Sequence, residues 1–187
     1  MQEDEFVATA FTAAEAVLAP PLVIRRGAAL LYQVAVDNRL ELTVDPRQPV
    51  RGQSAFQTDL AVFEEIAPGV EIPRVVMEFK ANLTTHDVLT YSAKARKHKQ
   101  VYPYLRYGIV IGSIAELPGR FFTHNEGLDF GVAAASFREN RLHEMFADLL
   151  RDEIATSRRL EAIAFGTTET HMFRTEIVIK SGGAKVT

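Results

Sequence analysis

Apolar residues first recur at helical spacing. Phe6, Val7, Ala10, Phe11, Ala14, Val17 and Leu18 fall three or four apart, which predicts an amphipathic helix over 3–18 that Pro20 and Pro21 bring to an end. Residues 22–37 fit either a second helix or a strand turning at Asp37-Asn38. The period then changes to two, predicting strands over 39–45 and 56–66 separated by a loop with Pro46, Pro49 and Gly52, and a third over 74–81 after a turn at Pro68-Gly69. Thr84 and Asp87 have the spacing of a capping box, opening a helix that runs to about Pro103. Two continuous apolar runs, 106–113 and 127–136, have the character of strands buried on both faces. Ser136 with Glu139 makes a second capping box, for a long helix through Phe165 that Gly166 can close, and the final SGGAKVT reads as frayed.

This order is helix, three strands, helix, two strands, helix. Meandering strands followed by a crossover helix into a buried strand imply an α/β protein with a mixed sheet flanked by helices. A length of 187 residues fits one domain, 1–187, able to bury a core without staples. The chain has no cysteine, so disulfides, thiolate metal sites and a cysteine nucleophile are excluded, and a cytoplasmic location is the expectation. No basic segment precedes an apolar run at the N-terminus, and no stretch has the length of a membrane span. There is no glycine-rich phosphate loop, so no nucleotide cofactor is expected.

The strand over 74–81 raises a chemical question. Val75, Val76, Met77 and Phe79 suit a core strand, yet Glu78 and Lys80 interrupt it. Side chains alternate across a strand, so these two charges share one face. An edge strand with a wet face and an ion pair explains them, and so does a metal-and-water site built on a sheet. Asp59 lies 19 residues before Glu78, with one turn between. A hairpin of the two strands can bring both carboxylates to one end of the sheet, where they repel unless a cation sits between them. Oxygen ligands favour Mg²⁺ or Mn²⁺, and Lys80 would be placed to orient a water and stabilise developing negative charge.

Asp59, then Glu78-Phe79-Lys80, then a helix and a buried strand, resembles the PD-(D/E)XK nuclease superfamily, whose restriction-endonuclease-like core is αβββαβ. The likeness covers most of residues 3–113, leaving 114–187, with a C-terminal strand and long helix, as a family-specific addition. It implies that Asp59, Glu78 and the backbone carbonyl of Phe79 bind metal and that Lys80 is catalytic. Many members carry a glutamate on the first helix, for which Glu15 is the best candidate. The proline that usually precedes the aspartate is Thr58 here.

The helix after this motif carries Lys94, Arg96, Lys97, Lys99 and, beyond it, Arg106, and no Asp or Glu occurs between Val88 and Ala115. Interleaved with Tyr91, Tyr102, Tyr104 and Tyr107, this is either a solvated surface or a phosphate-binding footprint; beside the acidic motif we read Lys94, Lys97 and Lys99 as contacts to DNA. Gln100 and Tyr104 satisfy Q-x-x-x-Y, which resembles the motif that follows the catalytic lysine in RecB-type nucleases, although Pro103 falls inside it. The layout is closest to small type II restriction endonucleases. That resemblance implies a Mg²⁺-dependent endodeoxyribonuclease, with Mn²⁺ able to substitute, acting on double-stranded DNA as a homodimer. The alternatives are a RecB-like or repair nuclease, and a DNA-binding or assembly subunit inactive alone. The five histidines have no metal-ligand spacing, Glu64 and Glu65 are expected to face solvent near the turn, and the apolar stripe Leu142, Met145, Phe146, Leu149, Leu150 and Ile154 is expected to pack into the core.

Overall fold

The structure, a computed structural model, describes residues 3–135, 137 and 139–180. Its main sheet has five strands in the order β1-β5-β6-β7-β8: β1 (Leu22–Arg26), β5 (Leu60–Ala67), β6 (Val70–Lys80), β7 (Arg106–Ile111) and β8 (Phe130–Ala133). A second sheet, ordered β2-β4-β3, is inserted between β1 and β5 and comprises β2 (Ala29–Leu31), β3 (Val50–Arg51) and β4 (Ser54–Gln57). The helices are α1 (Glu3–Glu15), α2 (Thr85–Val101), α3 (Gly119–His124) and α4 (Glu139–Ala164).

β1, β5 and β6 form an antiparallel meander, and α2 then carries the chain across so that β7 and β8 run parallel to β6. The expected mixed α/β architecture is what forms. β6 is the middle strand, and both its faces are covered. Val75, Met77 and Phe79 pack with Phe6, Val7 and Ala10 of α1 and with Leu142, Phe146, Leu150 and Ile154 of α4. Val76 faces the other way, joining Tyr107, Ile109 and Ile111 of β7 and Val88, Tyr91 and Ala95 of α2. The apolar stripe of the last helix is therefore core. The alternative of an edge strand with a wet face does not survive, because Glu78 is 2% exposed on a central strand.

Local chemistry explains the boundaries. Thr84 and Asp87 form the full capping box at the start of α2, satisfying amides that the first turn leaves free. Pro73 is accommodated in β6 at a bulge, where the register steps from Val62↔Val75 to Phe63↔Pro73. Gly108 lets β8 approach β7: a Cβ there would stand 2.2 Å from the Phe130 ring.

Four expectations need correction. Residues 22–37 form two strands, β1 and β2. Residues 39–45 alternate but find no strand partner, making one isolated bridge, Val36↔Leu42, around Leu40 at φ 63°. The strand expected over 56–66 is two strands in different sheets, broken at Thr58-Asp59. The short helix α3 carried no apolar repeat long enough to announce it. Ser136 and SGGAKVT lie outside the described residues. Among the described residues no helix is long and apolar enough to cross a membrane.

Candidate active site

The break between β4 and β5 is where the site begins. Thr58 donates its amide to the Ala28 carbonyl at 2.9 Å and its hydroxyl to the same oxygen at 3.0 Å, while Gly27 donates to the Asp59 carbonyl at 3.1 Å. A proline at 58 would lose the first of these bonds, so the inserted sheet disfavours proline here, and threonine adds a second bond to the same oxygen. Asp59 is pinned at the start of β5 and accepts the Phe79 amide on Oδ2 at 2.7 Å. Asp59 and Glu78 thus meet at one end of the sheet.

The strand geometry aims the neighbouring groups. Lys80 accepts the Gly112 amide at 2.8 Å, so its carbonyl faces the β7 side. One residue back, the peptide groups point the other way, and the Phe79 carbonyl lies on the same edge as its amide, beside Asp59 and past the end of β5. Glu78 projects toward α2 and is buried there. Tyr107, fully buried two residues before Ile109, the residue opposite Glu78, donates its hydroxyl to Glu78 Oε1 in a short bond. Lys94 of α2 holds Nζ 3.9 Å from the same oxygen. Burial, followed by the charge of Asp59, pushes the Glu78 carboxyl up to about 7, against the partial relief from Lys94 and Tyr107. Lys80 places Nζ 5.8 Å from the Tyr91 ring centre, and Tyr91 also faces Lys94 at 4.9 Å. Burial pushes the Tyr91 phenol up to about 12, with Glu78 adding and Lys80 opposing.

This donor set fits a hard divalent cation. Asp59 and Glu78 converge, and strand geometry sets the Phe79 carbonyl on the Asp59 side; burial first, and then the Asp59 charge, keeps the Glu78 carboxyl from ionising freely, and a cation relieves the second of these. No group of three His, Cys, Asp or Glu side chains comes together among the described residues. Water and a substrate phosphate would complete the shell, as Mg²⁺ accepts readily.

Behind the site, the His98 ring stacks on Tyr107 at 5.6 Å and places Nδ1 2.8 Å from the Leu31 carbonyl oxygen. A carbonyl only accepts, so Nδ1 carries the proton. Burial lowers the His98 pKa, and it stands as a neutral prop between α2 and β2. Sequence reasoning missed the roles of Tyr107 and Lys94. Tyr107 was visible as one of the tyrosines interleaved with the basic residues; its register beside β6 is what gives it Glu78.

Other candidates land elsewhere. Glu15 is exposed at the C-terminal end of α1, whereas Phe6, near the other end, packs on Phe79 with ring centres 5.4 Å apart. Nine residues of helix separate the two, a rise of about 13 Å, so α1 does not deliver Glu15 to Asp59 and Glu78. Lys99 is tied to Asp129 at 2.7 Å and to the Gly127 carbonyl at 2.7 Å, in a network with Arg106 and Glu153 that joins α2, β7 and α4. Tyr104 is buried near the other end of β6, with the Arg74 guanidinium 5.5 Å from its ring. The helix ends between Gln100 and Tyr104, so the two share no face and no site. Gln100 instead lines an open groove of about 430 Å³ with Lys97, Tyr32, Gln33, Val34 and Val101. Lys97 is exposed there, 5.8 Å above the Tyr32 ring. Glu64 is buried rather than solvated, gripped by Arg74 at 2.6 Å and Arg158 at 2.6 Å; Glu65 is exposed as expected.

A pH effect follows from Glu78. The folded protein holds this proton more tightly than the unfolded chain, so stability present at low pH is lost as pH rises from about 4.5 to about 7. The loss is on the order of 3 kcal/mol for that separation. Metal-free melting temperatures should fall between pH 5 and pH 8, and Glu78→Gln should flatten the fall. Identical slopes in the two proteins would remove Glu78 as its cause.

A scan against protein-family models matches none, and a search of curated proteins finds no relative.

Proposed function

We propose that this chain is a Mg²⁺-dependent endodeoxyribonuclease of the PD-(D/E)XK kind that hydrolyses phosphodiester bonds of duplex DNA. The observation that carries the proposal is the meeting of Asp59 and Glu78 at one end of β6, with the Phe79 amide bonded to Asp59 and Lys80 on the Glu78 face. The order α1, β1, β5, β6, α2, β7 supports it, since this is an αβββαβ series once the inserted sheet is set aside.

In the mechanism that follows, a bound Mg²⁺ supplies charge neutralisation of the phosphate and a water acidic enough to attack it. Asp59, Glu78 and the Phe79 carbonyl are the groups that would hold the cation. The Phe79 amide keeps the Asp59 carboxylate from rotating away, and Tyr107 does the same for Glu78. Lys80 orients the attacking water and opposes the charge that gathers on phosphate oxygens. The hydrophobic layers above and below β6 keep these groups in low dielectric, where such contacts count for most.

The duplex reaches this end of the sheet along α2. Lys97 should contribute one phosphate contact, so Lys97→Gln should weaken binding to all sequences alike and flatten the slope of log affinity on log salt by about 0.9. Lys99→Gln should leave that slope as it is, because its ammonium is committed to Asp129. A salt slope identical to wild type in Lys97→Gln would show that this part of α2 is only a solvated surface. The reading as a restriction enzyme is tested by mapping the ends of digested DNA. Defined ends support it, and ragged ends mean a non-specific nuclease. Gln100 and Tyr104 lie on either side of the end of α2, so the Q-x-x-x-Y pattern lends the RecB-like alternative no support.

A further inference from the structure

We infer that Lys94 is a second catalytic lysine, whose ammonium leaves Glu78 for a non-bridging oxygen of the scissile phosphate when substrate binds. The inference rests on the nuclease reading above and deepens it. Lys94 is the α2 cation that faces the carboxylates, because Arg96 pairs with Glu126 at 2.8 Å and Lys99 with Asp129. Its Nζ stands 3.9 Å from Glu78, beyond hydrogen-bond length, so the pair is electrostatic contact without a directional bond. Two rings guide the stem: Tyr91 at 4.9 Å and Phe56 at 5.9 Å from Nζ. The side chain is 28% exposed while that of Glu78 is 3% exposed, which puts the ammonium between the buried Glu78 carboxylate and solvent, where a phosphate would arrive.

Charge then decides the movement. Without metal, Lys94 is a countercharge to Glu78, its Nζ 3.9 Å from Oε1. With the Asp59 and Glu78 charges met by a divalent cation, the Lys94 ammonium at the mouth of the site would be released to pair with phosphate. In hydrolysis the water oxygen bonds to phosphorus and the bond to one ester oxygen breaks. The water gives its proton to solvent and the leaving oxygen takes one from solvent, so Lys94 transfers no proton and supplies charge alone.

Single-turnover cleavage of supercoiled plasmid at saturating enzyme, paired with Mg²⁺ titration by thermal shift, tests this. Lys94→Gln should cut about 10²–10³-fold more slowly, and Lys94→Arg should recover at least tenfold of roughly that loss. Because the substitution removes a cation competing for Glu78, Lys94→Gln should bind Mg²⁺ no more weakly than the wild type. A merely structural lysine would instead loosen the Mg²⁺ midpoint, with Arg failing to rescue, and that result overturns the inference. So does cleavage by Lys94→Gln within about threefold of wild type. Lys94→Met, which keeps the stem between the two rings, gives the same readouts should Gln weaken the fold. A wild-type chain that shows no Mg²⁺ shift and no cleavage overturns the nuclease reading itself, and this inference with it.

Discussion

Asp59→Asn should cut DNA at least about 10³-fold more slowly than the wild type, the equivalent of roughly 4 kcal/mol of transition-state stabilisation. The substitution is nearly isosteric, and the Asn oxygen can still accept the Phe79 amide that Asp59 accepts at 2.7 Å, so the junction between β4 and β5 keeps its geometry. What disappears is one negative charge. Its loss removes a cation ligand, and it also removes the second-largest influence that raises Glu78. Three results should therefore appear together: lost cleavage, DNA affinity equal to or tighter than wild type, and a metal-free protein that is more stable than wild type at pH 8. Unchanged Mg²⁺-dependent cutting would remove Asp59 from the site.

Lys80→Ala should lower the rate by about 10²–10⁴-fold, the range for a positioned proton-transfer group or a charge on a developing oxyanion. Folding should survive, because what Lys80 gives the sheet is its backbone: the carbonyl bonded to Gly112 and the pairing with Ile111. Its ammonium lies over Tyr91 at the end of α2 nearest the capping box, so Ala should shift the melting temperature by only a few degrees or less. DNA binding at saturation should change far less than the rate. A protein that loses its fold while its soluble fraction cuts normally would make Lys80 a structural residue.

The elements legible in the sequence were those whose signal is local. The capping box at Thr84 needs four residues, and the buried run in β7 and the helical period of α4 need no knowledge of partners. Glu78 and Lys80 stood out for the same reason, as charges inside an apolar strand. The features that escaped depend on residues distant along the chain. Nothing near Thr58 marks the passage from one sheet to another, since the bond that fixes it comes from Ala28. Residues 39–45 have the alternation of a strand but no neighbour to pair with, and alternation without a partner forms no sheet. Glu64 looked like a solvated carboxylate because Arg158, which neutralises it, is 94 residues away. On α2 the charges were visible but their directions were not. Rotation of the helix against β6 sends Lys94 to Glu78 and Lys99 to Asp129, and that rotation is set by the apolar contacts of Val88, Tyr91 and Ala95.

The most direct test is incubation of the purified chain with supercoiled plasmid, with Mg²⁺ or with chelator, beside Asp59→Asn prepared identically. The site described here predicts nicked and linear DNA from the wild type with Mg²⁺ alone, and intact supercoiled DNA in the other three reactions. Plasmid left intact by wild type with Mg²⁺, or cut equally by Asp59→Asn, would contradict it.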